Sequence, residues 1–241
     1  RDRGSDWVLH NNTKQGVIVD RATVVVEGMH LANNGYSAAH VLDARRIDFG
    51  NLTAENNGAS PSATVEEQAG LYYFESNNVE SASGDVRCRN CSISGSTGQG
   101  VLAVNSVDLW LEGLHLEDNN PTMPAFEVDN GDTMPGGASG RVQVTNAHVE
   151  AETPGQPAVK FHRAAVEVNG LTMAGNHSGL EWRGDNNGQF PSYLNNSVLS
   201  GTQCVLLEGH PSLNGHGNRI SSACTGSITL TDSQVNWSGL I

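Results

Sequence analysis

The 241 residues predict an all-β solenoid: a right-handed, single-stranded parallel β-helix of about eight coils, each with three short strands. Three observations predict it. A motif of the form apolar-x-apolar-x-(Gly/Asn/Asp)-residue-x-apolar recurs along the chain. A small residue opens a further apolar stretch before each copy, and no segment follows the 3.6-residue period of an amphipathic helix.

The clearest copies are VVVEGMHL (24–31), LWLEGLHL (109–116), VQVTNAHV (142–149) and VEVNGLTM (166–173); weaker ones are IDFGNLTA (47–54), VRCRNCSI (86–93), PSYLNNSV (191–198) and ITLTDSQV (228–235). Their fifth column reads Gly28, Asn51, Asn90, Gly113, Asn146, Gly170, Asn195 and Asp232. Gly, Asn and Asp adopt left-handed backbone geometry most readily, so a sharp bend is expected at each. Apolar alternation on both sides then gives two strands meeting at the bend, each with one face buried.

The preceding strands are GVIV (16–19), AAHV (38–41), GLYY (70–73), GVLA (100–103), AFEV (125–128), AVKF (158–161), GLEW (179–182) and CVLL (204–207). One such coil cannot bury its apolar face alone, whereas stacked coils share a continuous core. Parallel pairing at roughly 4.8 Å per rung makes eight rungs a rod of roughly 40 Å. Residues 1–241 read as a single domain, and with no evident cap at either end the chain is expected to be an excised piece of a longer one.

Thirteen Lys and Arg against 26 Asp and Glu leave a formal charge of −13, which repels phosphate and argues against nucleic acid as a partner. No apolar run is long enough to span a bilayer, and residues 1–14 lack the apolar stretch of a secretory signal. The four cysteines do not have zinc-site spacing. Cys88 and Cys91 fall in inward columns on either side of one bend, as core residues or as a tight bridge; Cys204 and Cys224 flank an insertion that a disulfide would staple.

Insertions lengthen the connection between first and second strands at 75–85, 129–141, 183–190 and 208–227, and a further excursion runs from 55 to 69. Insertions gathered on one side of a solenoid form a natural binding face. The outward residues of the first strands read Ile18, His40, Tyr72, Leu102, Glu127, Lys160, Glu181 and Leu206, which places Glu127, Lys160 and Glu181 on successive rungs. Just beyond them lie Asp129, Asp132, His162, Arg163, Arg183 and Asp185. This group reads either as a ladder of solvated charge or as acid, base and uronate-neutralising residues acting on a polysaccharide, with Asp129, Arg163, Arg183 and Asp185 as catalytic candidates.

Third-strand outward positions read His30, Thr53, Ser92, His115, His148, Thr172, Ser197 and Gln234. His115 and His148 on adjacent rungs are the candidate metal ligands, although two ligands are too few for structural zinc. Trp110 points outward between Arg87 and Gln143, where it can stack on a sugar ring or accept a cation–π contact from Arg87. Tyr72 carries the same two readings. Tyr72, Trp110, Glu127, Lys160 and Glu181 are therefore the candidate ligand-binding residues, and no cofactor is expected unless a lyase activity recruits calcium.

The stacked coils resemble the right-handed β-helix superfamily, which includes pectate-lyase-like enzymes, phage tailspikes and pertactin-like autotransporter passengers. The likeness covers about residues 16–238 and implies the fold more than a function. Gly215-His216-Gly217 and Arg219-Ile220 echo elements of polygalacturonase-like glycosidases, but the NTD triplet and paired aspartates of that family are missing. Pectate-lyase-like enzymes join an Asp-rich calcium site to a basic catalytic residue, for which Asp129, Asp132, Asp185, Arg163 and Arg183 would have to serve. The coils at 157–182 look most like autotransporter passengers, which usually have few cysteines. The resemblance implies an extracellular or cell-surface protein that binds glycan or another macromolecule through loops on one face. A polysaccharide lyase or hydrolase is the alternative, and a purely structural spacer is a third reading. The sequence leaves the oligomeric state open.

Overall fold

The computed structural model describes residues 7–43, 46–74, 85–104, 108–130, 141–184, 192–209, 213–221, 224, 228–231 and 235–238. Over these residues the chain forms a parallel β-helix. First strands make a nine-stranded sheet from Val17–Asp20 through Ala39–Leu42, Leu71–Phe74, Val101–Val104, Phe126–Asp129, Val159–His162, Gly179–Arg183 and Cys204–Glu208 to Ile228–Thr231. Second and third strands make a larger bent sheet, whose main path has ten rungs from Trp7–His10 to Val235–Ser238. Every described pairing is parallel, as expected when successive coils repeat the same path, and the only described helical turn is Glu66–Gln68.

The bends fall into files because coils in register repeat the same backbone conformation at the same place. Gly28, Asn51, Asn90, Gly113, Asn146 and Gly170 all have positive φ, and the ladder stacks them one above another. At Gly113 a side chain would also collide with the Asn90 carboxamide, 2.7 Å from an added Cβ. The file continues through Asn196 (φ 50°) and Gly217 (φ 64°), not through Asn195 as the alternation predicts; Asp232 lies outside the described residues.

This one-residue slip has a physical cause. Ser192 and Ser197 occupy inward columns and are buried, so apolarity does not mark the inner face there. Their hydroxyls are satisfied by backbone groups, mostly of the adjacent coil: Ser197 Oγ donates to the Asn195 carbonyl at 2.8 Å and accepts from Leu171 N at 3.1 Å, and Ser192 Oγ accepts from Val166 N at 3.4 Å. Shifting a strand by one residue exchanges its two faces. The third-strand outward file therefore runs through Val198 and Arg219, not Ser197; Gln234 lies outside the described residues.

A second correction concerns 208–227, expected as an insertion. It contains a coil of its own: Leu213–His216 pairs with Ser192–Asn195, and Arg219–Ile220 pairs with Val198–Leu199. The segment 228–231, expected as a second strand, is instead the last first strand, paired with Cys204–Glu208. The Gly-His-Gly motif thus belongs to a bend of the solenoid.

One continuous apolar core fills the tube. Down the first-strand sheet its inward file reads Val19, Val41, Tyr73, Ala103, Val128, Phe161, Trp182 and Leu207. Ala103 sits beside Tyr73, and Phe161 meets Trp182 edge-on at 4.9 Å and Phe126 at 5.4 Å, the offset geometry aromatic rings prefer. Cys88 and Cys91, both fully buried, are joined as a disulfide across the bend at Asn90 (Cα–Cα 5.9 Å), and Cys204 is joined to Cys224 (Cα–Cα 5.6 Å).

Candidate functional site

Two outward surfaces carry the sequence-predicted residues. On the first-strand sheet the ladder places Glu127, Lys160 and Glu181 on successive rungs, with Asp129, His162, Arg183 and Glu208 forming a parallel file beside them. These groups neutralise one another. Lys160 Nζ lies 2.6 Å from Glu127 Oε1, whose other oxygen accepts a hydrogen bond from Gln99 Nε2 at 2.8 Å. Arg183 Nε is 2.9 Å from Glu181 and 3.3 Å from Glu208, and His162 Nδ1 is 2.9 Å from Asp129.

Burial works against the Lys160 ammonium, but the hydrogen bond and charge of Glu127, with the charges of Asp129 and Glu181, outweigh it and hold the pKa above the ordinary lysine value. Glu127 is only 7% exposed, so it holds the ladder together and offers little surface to a ligand. Arg163 sits in the bend after the first strand with φ 52°, and its carbonyl accepts from Asn130 Nδ2 at 2.9 Å. Asp132 and Asp185 lie outside the described residues, as do most of the expected insertions at 75–85, 129–141 and 183–190.

Tyr72 does point outward, but the structure buries it. It packs with Ala69 and Leu102 in a small apolar cluster, with Leu42, Phe74 and Val104 around it, and meets the His40 ring edge-on at 4.6 Å. Burial, together with the Glu66 charge, pushes its phenol up to about 12. Tyr72, expected to stack on a sugar, is 7% exposed and offers little ring face to a ligand. Burial likewise lowers the pKa of His40, against an opposing effect of Glu67.

On the bent sheet His115 and His148 stack with ring centroids 5.1 Å apart and planes 8° from parallel. Each Nε2 is directed at its own glutamate, 3.3 Å to Glu117 and 4.0 Å to Glu150. Stacked parallel rings send their nitrogen lone pairs side by side rather than toward one point. Among the described residues no group of three or more His, Cys, Asp or Glu is placed to hold a metal.

The central outward file of the bent sheet reads Val25, Asp48, Arg87, Trp110, Gln143, Glu167, Tyr193, Asn214 and Asn236. Arg87 lies over the Trp110 ring at 4.8 Å. Three rungs along the same file stands Tyr193, 37% exposed, which the alternation misassigned to the interior because the Asn195-Asn196 doublet permits two registers. Trp110 and Tyr193 are thus roughly 14 Å apart along the axis, with Gln143 and Glu167 between them. Trp110 does not share a surface with Glu127, Lys160 and Glu181, which belong to the other sheet.

Comparison with known proteins adds no relative. No protein-family model matches the chain, and neither curated proteins nor solved structures give a significant match. No helix among the described residues is long and apolar enough to cross a membrane.

Proposed function

We propose that this chain is a non-catalytic extracellular or cell-surface β-helix, of the kind found in the right-handed β-helix superfamily, that binds glycan along the outer face of its bent sheet. One observation carries the reading: Trp110 and Tyr193 stand on a single outward file with hydrogen-bonding side chains on the rungs between them. Aromatic rings supply apolar area for sugar faces; between them Arg141 and Gln143 donate to one Glu167 oxygen, and the second Glu167 oxygen and the Gln143 amide oxygen remain as acceptors for hydroxyls. The first-strand charges support the same reading, because the carboxylates there are spent on cations and an imidazole. Two disulfides in a short chain agree with an oxidising, exported setting.

A polysaccharide lyase or hydrolase is the second reading, favoured by the Asp129–His162 contact at 2.9 Å, since a carboxylate that orients an imidazole suits a general base. One experiment separates them. The protein is incubated with acidic and neutral polysaccharides, with and without calcium, while bound glycan, reducing ends and unsaturated products are measured. Retention without turnover, weakened about tenfold in Trp110→Ala or Tyr193→Ala (about 1.4 kcal/mol), supports binding. Turnover that disappears in Asp129→Ala or Arg183→Ala overturns it.

A further inference from the structure

Asparagine doublets recur at Asn11-Asn12, Asn33-Asn34 and Asn56-Asn57, always at the corner where a third strand ends. The two members do different work. The first of each pair takes left-handed geometry, with φ of 57°, 52° and 52°. The second builds a ladder along the corner: Asn12 Nδ2 donates to Asn34 Oδ1 at 2.8 Å, Asn34 Nδ2 to Asn57 Oδ1 at 2.8 Å, and Asn57 Nδ2 to the carbonyls of Leu31 and Glu55 at 3.0 Å. Asn34 and Asn57 are fully buried, so their amides are used by the fold. The exposed carboxamides of Asn33 and Asn56, and the Thr13 hydroxyl, make no side-chain hydrogen bond among the described residues.

These groups face a concavity of about 450 Å³, walled on the far side by Ala59 and Ser60 of the 55–69 excursion. The excursion is pinned there by Gly58 N donating to the Asn34 carbonyl at 3.0 Å and Ser60 N donating to the Gly35 carbonyl at 2.8 Å. Among the described residues no charged side chain lines the concavity, although the chain as a whole carries −13. Asn33 and Asn56 occupy adjacent rungs, roughly 4.8 Å apart.

We infer that this corner is a second binding site, distinct from the Trp110 file, that takes an uncharged polyhydroxylated ligand such as the end or branch of a neutral oligosaccharide. Primary amides and hydroxyls both donate and accept, as sugar hydroxyls do, so each can pair with a ligand hydroxyl whatever its orientation. A uronate or phosphate would need a cation, and none lines the site among the described residues. The left-handed backbone at Asn33 and Asn56, anchored by the buried ladder beside it, fixes the positions from which the two side chains project before binding, which lowers the backbone part of the ordering cost.

The test is calorimetric titration of the full chain with neutral hexasaccharides built from glucose, mannose, galactose or xylose, beside an oligogalacturonate. The expected result is binding of at least one neutral probe at a Kd on the order of 1 mM or tighter, no binding of the uronate at this corner, and at least tenfold weakening in Asn33→Asp/Asn56→Asp. Asp also tolerates left-handed geometry, so the variant is expected to fold, and its melting curve checks this. Shifts of the Asn33 and Asn56 side-chain amide resonances in the unaltered protein give a readout that does not depend on the variant. Failure of every neutral probe to bind, binding unchanged in the double variant, or sugar-dependent shifts that spare both amides would overturn the inference. Trp110→Ala is expected to leave this site intact, so the two binding surfaces fail independently.

Discussion

Replacing Lys160 by methionine tests whether the first-strand charge ladder is structural. The substitution keeps the aliphatic stem and removes the cation, leaving the Glu127 carboxylate with only the Gln99 amide at 2.8 Å. Breaking a fully buried pair typically costs 3–5 kcal/mol, whereas an exposed pair is worth about 0.2–1 kcal/mol. The Glu127 side chain is 10% exposed and that of Lys160 28%, so the expected loss is intermediate, about 2 kcal/mol. Glu127→Gln is expected to cost less, about 1 kcal/mol, because the Lys160 ammonium can turn toward water. Losing both charges strands neither, so Glu127→Gln/Lys160→Met is expected to be no worse than Lys160→Met alone, a coupling of about 1 kcal/mol or more.

Urea unfolding is the assay, since urea does not screen charge. The folded pKa of Lys160 is raised, so the pair's contribution is complete below the ordinary lysine value of about 10.5 and fades as pH climbs past it. Glycan retention measured on the same variants is expected to be unchanged. Losses below about 0.5 kcal/mol for both single variants, adding up in the double, would show that the ladder is solvated charge and refute the reasoning.

Four further outcomes are expected. The Tyr73 hydroxyl is buried without a partner among the described residues, so Tyr73→Phe is expected to raise stability by about 1 kcal/mol in urea unfolding. Burial lowers the His177 pKa, against the opposing effects of the Glu152 charge and a hydrogen bond with the Ala174 backbone. Its stabilising contribution is therefore complete above the ordinary value of 6.5 and is lost as pH falls through the depressed one, so melting temperature should drop more steeply on acidification in the natural protein than in His177→Gln. Cys204 and Cys224 close a loop with a separation of 20 residues, and Cys204→Ala/Cys224→Ala should lose about 3 kcal/mol in the same unfolding assay. At the Asn146 bend (φ 53°), Asn146→Ala should cost about 1–2 kcal/mol and Asn146→Gly much less, because glycine alone pays no Cβ penalty there.

By itself the sequence determined the coil. Strand alternation and left-handed bends are properties of a few neighbouring residues, so VVVEGMHL and LWLEGLHL show both the inward columns and the position of the turn. The same local rule brought His115 beside His148 and Trp110 between Arg87 and Gln143, since stacking equal motifs fixes which side chains share a file. It failed at SYLNNSVL (192–199), where two adjacent asparagines fit the bend equally well and the inward serines are satisfied by backbone groups from neighbouring coils. Only the tertiary structure supplied those partners, and with them the register that turns Tyr193 outward. It also decided accessibility: Tyr72 lies on an outward position yet is buried, because Ala69 of the 55–69 excursion and Leu102 of the next rung pack on it. Local pattern specifies the direction of a side chain, whereas its exposure depends on contacts with residues many positions away along the chain.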